Sequence, residues 1–364
     1  MRIPEIKATA DLSEHEQWML RAILLAQKGI FGAPPNPLVG AVIVCDGKII
    51  GEGYHRKYGE GHAEVNAIAS VRQQDMLARS KMYVTLEPCS HYGKTPPCAK
   101  LIIEKGIKEV YVGCKDPFAQ VSGRGIRMLK EAGVKVEVGI LEDVCKSLNA
   151  HFFTNQLKQR PYILLKWAQS ADGYLDIKRT GGSPAHLSTP RSLLRSHNLR
   201  TQYQAIMVGT HTAWLDNPRL TARYVDGPNP LRVVLDRKGT LPDTLFLFDG
   251  EADTLVLGET DNENRKRTYQ FRRLDYSSSI LPQVLSILQQ MHIQSLIVEG
   301  GAKLLQSFLD EELWDEIQVE HSVLVLGDGV AAPVIPPRHS PVIEEALGVS
   351  FCHYYSYWKA ILWI

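Results

Sequence analysis

The feature that most constrains this chain is an alternation of short strands and helices that occurs twice. Val39 to Cys45 reads as a strand, Asp46-Gly47 as a tight turn and Lys48 to Ile50 as its return strand. Helical and strand periods then take turns. His62 to Val71 is helical, Lys81 to Leu86 a strand, Ala99 to Lys105 helical and Glu109 to Gly113 a strand. Gly125 to Ala132 is helical and Val134 to Val138 a strand. A helix precedes the series. Ser13-x-x-Glu16 forms a capping-box pattern, Trp18, Ala22, Ile23, Leu25 and Ala26 recur at helical spacing, and Gly29 is the expected stop. Such βα units bury their apolar faces by placing helices against a sheet.

The polar stretch Gln156 to Pro161 interrupts this series, and the alternation then resumes. Strands are expected over Tyr162 to Ala168, Ala205 to Gly209, Leu231 to Asp236, Thr254 to Leu257 and Ser295 to Val298. Leu193 to Arg200 and Leu281 to Met291 read as helices, and Gly300-Gly301 opens another that runs to Leu309. Residues 258–279 are charged and polar and are expected to form a surface excursion. The 364 residues are therefore read as two α/β domains, 13–150 and 160–364.

Charge excludes some partners. Lys plus Arg number 41 and Asp plus Glu 40, a formal net charge of +1, so the chain carries no bulk attraction for nucleic acid or an anionic membrane. No run of apolar residues is long enough to span a bilayer, and the first residues lack the apolar core of a signal peptide. Six cysteines are too sparse for a disulfide framework in a chain of this length, which points to a reducing cytoplasm. The expected partner is a small molecule.

The strongest local signal is a metal-binding pattern. His62-Ala63-Glu64 opens a predicted helix, Pro88-Cys89 follows the next strand, and Pro97-Cys98 lies just beyond. One imidazole and two thiolates make a three-ligand zinc shell with an open fourth position. Zinc in such a shell activates water near neutral pH, and Glu64, two residues from His62, is placed to move the proton. This order of ligand, acid and paired cysteines is the signature of zinc-dependent base deaminases. The alternatives are buried cysteines with an unrelated histidine, or a structural zinc site, which ordinarily wants a fourth protein ligand; His91 is the nearest in sequence.

Eight residues separate Cys89 from Cys98, where nucleic-acid-editing deaminases have two. The run TLEPCSHYGKTPPC (85–98), with PNPLVGAVIV (35–44) and HAEVNAI (62–68), resembles the bifunctional deaminase–reductase family of riboflavin biosynthesis. The resemblance implies an N-terminal cytidine-deaminase-like three-layer sandwich and a C-terminal dihydrofolate-reductase-like domain. It also implies a substrate, 2,5-diamino-6-ribosylamino-pyrimidinone 5′-phosphate, whose 2-amino group is hydrolysed. By motif, Asn36 and His55 line the base and sugar, His91 and Lys94 lie in the phosphate loop, and Asp116 joins them. The family pattern D-P-N-P reads Asp116-Pro117-Phe118-Ala119 here, so an Asn is replaced by Phe118.

No dinucleotide fingerprint follows a strand and opens a helix, so a nicotinamide cofactor needs another cradle. The resemblance supplies one. RPYILLKWAQSADG (160–173), AIMVGTHTAWLDNPRLTAR (205–223) and VEGGAKLL (298–305) match the family's reductase segments. They imply that NADPH is lined by Ala168, His186, Thr212, Asp216 and the run Gly301, Ala302, Lys303, Leu304, Leu305, Gln306 and Ser307. They assign Lys166, Arg200, Leu220, Arg223 and Glu299 to the reductase substrate. Two arginines suit a sugar phosphate. A Ser-x-Trp pair of the family is here Pro184 and His186, and the family's P-K-x-x-G strand reads His321 to Gly327. The expected activity is zinc-dependent deamination followed by NADPH-dependent reduction of the ribosyl group, in a homo-oligomer, a dimer or tetramer. The rival reading is a deaminase whose second domain only binds.

Overall fold

The computed structural model describes residues 12–91, 96–118, 122–262, 264–265 and 268–356, and the chain divides into two compact units between Gln159 and Arg160. Unit 1 opens with helix α1 (Glu14–Ala26), whose N-terminus carries the expected capping box. The Ser13 hydroxyl accepts from the Glu16 backbone N–H, and the Glu16 carboxylate accepts from the Ser13 N–H. There follow β1 (Gly40–Cys45), β2 (Lys48–Tyr54), α2 (Ala63–Ser70), β3 (Lys81–Leu86), α3 (Cys98–Glu104), β4 (Glu109–Cys114), α4 (Arg124–Glu131) and β5 (Lys135–Val138). Two short helices, α5 (Glu142–Leu148) and α6 (Ala150–Lys158), close the unit.

The sheet of unit 1 runs β2-β1-β3-β4-β5, antiparallel at β2-β1-β3 and parallel from β3 to β5. Every residue of β1 is buried because both of its faces are covered. Val42 and Val44 pack with α1, Cys145 and Phe153 on one side, whereas Ala41 and Ile43 pack with α2, α3 and Leu129 on the other. This is a three-layer sandwich, as expected. Gly40 and Gly53 permit it at close quarters, since a Cβ would stand 2.0 Å from the Ala22 carbonyl oxygen and 2.3 Å from the Ala67 nitrogen.

Unit 2 contains β6 (Tyr162–Gln169), β7 (Tyr174–Asp176), α7 (Pro190–Gln202), β8 (Ala205–Val208), α8 (Thr210–Asp216), β9 (Leu231–Leu235), β10 (Thr254–Gly258) and β11 (Gln270–Arg273). It continues through α9 (Ile280–Gln290), β12 (Ser295–Val298), α10 (Ala302–Asp310), β13 (Glu316–His321), β14 (Val330–Ala331), β15 (Val342–Ala346) and β16 (Val349–Tyr355). Nine strands form one sheet in the order β11-β10-β9-β8-β12-β6-β13-β16-β15. It is parallel from β11 to β13 and antiparallel across β13-β16-β15.

The two faces of this sheet differ. Ile163, Leu165 and Trp167 of β6 join Ile317 and Val319 of β13 and the inner sides of α9 and α10 in one apolar core. The alternate residues, Lys166 on β6 with Gln318 and Glu320 on β13, form a buried polar face. Helix α7 covers that face, with Ser192 donating to the Glu320 carboxylate at 2.6 Å. The segment expected to be a surface excursion, 258–279, is more than that. Its Gln270–Arg273 stretch adds the edge strand β11, and Arg265 is buried against Asp236 at 3.0 Å and the Leu241 carbonyl at 2.6 Å. A polar composition misled here because an arginine can be buried where a carboxylate and carbonyls receive it.

Candidate active sites

In unit 1 the ends of three elements converge. His62 is the N-cap of α2, Cys89 lies just beyond β3, and Cys98 is the first residue of α3. Their ligand atoms lie within 4.8 Å of one another. The Nδ1 atom of His62 stands 3.5 Å from Cys89 Sγ and 3.3 Å from Cys98 Sγ. Neighbouring ligands of a tetrahedral zinc with bonds of about 2.3 Å to sulfur and about 2.0 Å to nitrogen stand about 3.6 Å apart, so the set fits zinc. Three ligands leave one coordination position for a reactant. The Cys98 backbone N–H also donates to Cys89 Sγ at 3.3 Å. Hydrogen bonds from Cys98 and His62 lower the Cys89 thiol pKa, which favours the thiolate a metal needs.

Glu64 sits in the first turn of α2, only 3% exposed. Burial, with the charge on Cys89, pushes its carboxyl up to about 7. A group that gains and loses a proton near neutrality suits general acid–base work. Asn36 and His55 are brought to the same place. His55 is buried, its ring lies edge-on to that of His62 with centroids 5.5 Å apart, and its Nε2 is 3.1 Å from the Asn36 amide nitrogen. With His55 Nδ1–H donating to the Gly61 carbonyl at 3.2 Å, Nε2 is left to accept from Asn36. Burial lowers the His55 pKa, so the ring is neutral at pH 7.

His91 is exposed, and Lys94 lies outside the described residues. Asp116 is half-buried and accepts the Phe118 backbone N–H at 2.8 Å; burial raises its carboxyl. Phe118 itself is 41% exposed. Sequence reasoning missed Glu87. This buried carboxylate accepts backbone N–H groups from Gly123 at 2.9 Å, Gly125 at 3.0 Å, Ile126 at 3.3 Å and Asp116 at 3.4 Å. It thereby caps α4, which has no side-chain cap of its own, and ties Asp116 and the residues that open α4 to the stretch before Cys89. The signal was present as an acid between an apolar strand and Pro88-Cys89, followed far downstream by a helix lacking a Ser, Thr, Asp or Asn cap.

In unit 2, Arg200 of α7 pairs with Glu299, just after β12, at 2.7 Å and also donates to the Thr221 carbonyl at 3.0 Å. Burial works against ionisation of Glu299, but Arg200 and Lys166 outweigh it and hold its carboxyl below the ordinary value. Lys166 is 8% exposed in the centre of the sheet. Leu220 is buried with φ +55°, and Arg223 lies over the Tyr224 ring at 4.6 Å. His197, one turn before Arg200, packs against the Tyr224 ring with centroids 4.5 Å apart and planes tilted by 52°.

Gly301 has φ +76°, and a Cβ there would stand 2.8 Å from Thr212 Oγ1, so the glycine and Thr212 face each other at the start of α10. Ala302 and Lys303 occupy its first turn. Leu304 and Leu305 turn into the apolar core, so only their backbone is available to a cofactor. Gln306 accepts the Val334 N–H at 2.8 Å, and Ser307 donates to the Lys303 carbonyl at 2.9 Å. Ala168 ends the polar face beside Glu320, while His186 is exposed on the loop before α7. The bare N–H groups of α10 and its glycine turn suit a cofactor phosphate, and Lys166 and Arg200 suit a phosphorylated substrate.

Fold and site together define a zinc-dependent deaminase unit joined in one chain to a second α/β unit that carries a largely buried Lys, Arg and Glu group. Residues 12–114 match the cytidine and deoxycytidylate deaminase zinc-binding region, and residues 161–346 match the RibD C-terminal domain. The riboflavin biosynthesis protein RibD of Aquifex aeolicus is 39% identical over 92% of this chain and 93% of its own, and that of Bacillus amyloliquefaciens is 40% identical over 88% and 87%. A solved diaminohydroxyphosphoribosylaminopyrimidine deaminase/5-amino-6-(5-phosphoribosylamino)uracil reductase from Thermotoga maritima superposes with TM-score 0.86 at 37% identity, covering 94% of this chain and 98% of that one. Acinetobacter baumannii RibD gives TM-score 0.83 at 32% identity, covering 94% and 98%. The chain belongs to the RibD family of riboflavin-biosynthesis deaminase–reductases.

Proposed function

We propose that this chain catalyses two successive steps on one phosphorylated pyrimidine. A zinc-dependent deaminase domain, 13–150, removes the 2-amino group of 2,5-diamino-6-ribosylamino-pyrimidinone 5′-phosphate. An NADPH-dependent reductase domain, 160–364, then converts the ribosyl group to ribityl. The observation that carries this reading is the His62, Cys89 and Cys98 cluster beside buried Glu64, on the same chain as the Lys166, Arg200 and Glu299 cleft.

His62, Cys89 and Cys98 would hold zinc, which when bound supplies the Lewis acidity that makes water a nucleophile near neutral pH. Glu64 takes the proton of that water and delivers it to the departing amine nitrogen. Asn36, His55 and Asp116 hold the ring and sugar, and His91 and Lys94 meet the phosphate. In unit 2, NADPH supplies the hydride when bound. Thr212, Asp216, Ala168, His186 and the turn from Gly301 to Ser307 hold it, while Lys166, Arg200, Leu220, Arg223 and Glu299 orient the substrate. The pairing of Arg200 with Glu299 supports this, because it fixes the guanidinium before a phosphate or hydroxyl arrives.

Exposed Val323, Val325, Val334 and Ile343 support a homo-oligomer, a dimer or tetramer, assembled through unit 2. Among the described residues no helix is long and apolar enough to cross a membrane, and the cytoplasm is the proposed setting. The test mixes zinc-replete protein with substrate and NADPH, and follows NADPH absorbance and product mass together. Deaminated and reduced product with NADPH loss is the expected result. Deaminated product with NADPH untouched would instead favour a deaminase whose second unit only binds.

A further inference from the structure

The loop between β7 and α7 has little of its own to hold it. Its tip, 180–184, is exposed and includes Gly181, Gly182 and Pro184. One side chain of the loop turns inward. Arg179 has a side chain only 6% exposed, and its guanidinium is almost fully engaged. Nε donates to Asp176 at 2.6 Å, Nη1 to the Gly182 carbonyl at 3.0 Å and the Leu215 carbonyl at 3.4 Å, and Nη2 to Asp216. Asp176 in turn accepts the backbone N–H groups of Ala185 at 2.8 Å and Ile177 at 2.9 Å. One guanidinium therefore closes the loop on itself and fastens it to the C-terminal end of α8.

We infer that Arg179 is a positioning residue for the cofactor side of the reductase cleft. It sets the Asp216 carboxylate and the loop bearing His186 in one fixed arrangement. This rests on the reading of Asp216 and His186 as residues that line NADPH. Two physical consequences follow from the geometry. Asp216, with its side chain 34% exposed, would repel a polyphosphate cofactor if it stood alone, and its ion pair with Arg179 neutralises it. The arrangement also needs a planar fork. A lysine ammonium is a single point of charge and cannot reach two carboxylates and two carbonyls at once.

The test measures NADPH affinity of the full-length protein by equilibrium fluorescence titration, with deamination kinetics and thermal melting on the same samples. Arg179→Ala and Arg179→Lys are both expected to weaken NADPH binding about tenfold or more, since misplaced binding groups cost that much or more. Deamination in both variants stays at the wild-type rate. An Arg179→Lys protein that binds NADPH within twofold of wild type would overturn the inference, because charge without the fork would then suffice. So would loss of deamination and a lowered melting point in both variants, which would mark Arg179 as a general structural pin. If the wild-type protein itself binds no NADPH, the reading of the cleft fails and the inference falls with it. A binding wild type with unaffected variants sinks only the inference.

Discussion

The two candidate sites are built on opposite plans. In unit 1 the reacting groups lie between His62 and Cys98; His62, Glu64 and Cys98 sit at helix starts, and Cys89 follows a strand. Their order is fixed by coordination chemistry, which demands particular ligand types at particular distances. In unit 2 Lys166, Arg200 and Glu299 come from a central strand, a covering helix and a loop far apart in sequence. What joins them is a buried polar face with mutual charge compensation. A metal site tolerates almost no substitution among its ligands, whereas a charged cleft can be rebuilt with other residues.

The sharpest way to break the comparison is to disable one site and watch the other. Glu64→Gln keeps the ligands and should bind zinc as before, yet deamination should fall by about 10²–10⁴-fold, the range general acid–base catalysis supplies. Reduction of deaminated substrate should be unaffected. Metal analysis with both assays checks this, and near-normal deamination would remove Glu64 from the mechanism. Arg200→Ala is the reciprocal experiment. It leaves Glu299 buried and unpaired, so reduction should drop roughly 10–100-fold with deamination intact. Equal loss of both activities would show that the two units do not act independently.

Acid sharpens the contrast in stability. His197 is fully buried, and burial together with Arg200 and Arg223 lowers its pKa to about 4. The unfolded chain binds this proton near pH 6.5 and the folded one only near 4. Stability is therefore complete above 6.5 and falls as pH drops between these values, by roughly 3 kcal/mol for this group. His197→Leu should flatten that part of the acid transition in unit 2. Melting curves of both proteins from pH 7 to pH 4 measure it, and identical slopes would sink the assignment.

How much was legible follows the same division. The strands of unit 1, the capping box at Ser13 and the zinc set could all be read directly, because each depends on local period or on ligand chemistry. The polar face beneath α7 could not. Lys166, Gln318 and Glu320 lie on strands whose alternate residues are apolar, and only the β6–β13 register places them together. The edge strand β11 was hidden because its residues, Gln270 to Arg273, are mostly polar and exposed, and only pairing with β10 makes them a strand. Arg179 shows the limit most plainly. In sequence it belongs to a polar, glycine-rich loop, and its role exists only because Asp176 and Asp216 approach it from either side.

The smallest effect expected tests whether unit 1 is as self-sufficient as its metal pattern implies. Glu87 touches no ligand atom, yet its carboxylate receives four backbone N–H groups and holds the Asp116 loop beside the site. Glu87→Gln keeps the shape but turns an amide NH₂ toward one pair of those donors, leaving them without an acceptor at a cost of about 1–3 kcal/mol. Cys89 shares its stretch with Glu87, but none of the four donors belongs to a zinc ligand, so the zinc set should stay loaded. The loop should loosen, so KM for deamination should rise several-fold while kcat changes little. Kinetics at saturating and limiting substrate separate the two. A fall in kcat at unchanged KM would mean that Glu87 acts on the reacting groups through Cys89, and that the loop does not hold the base.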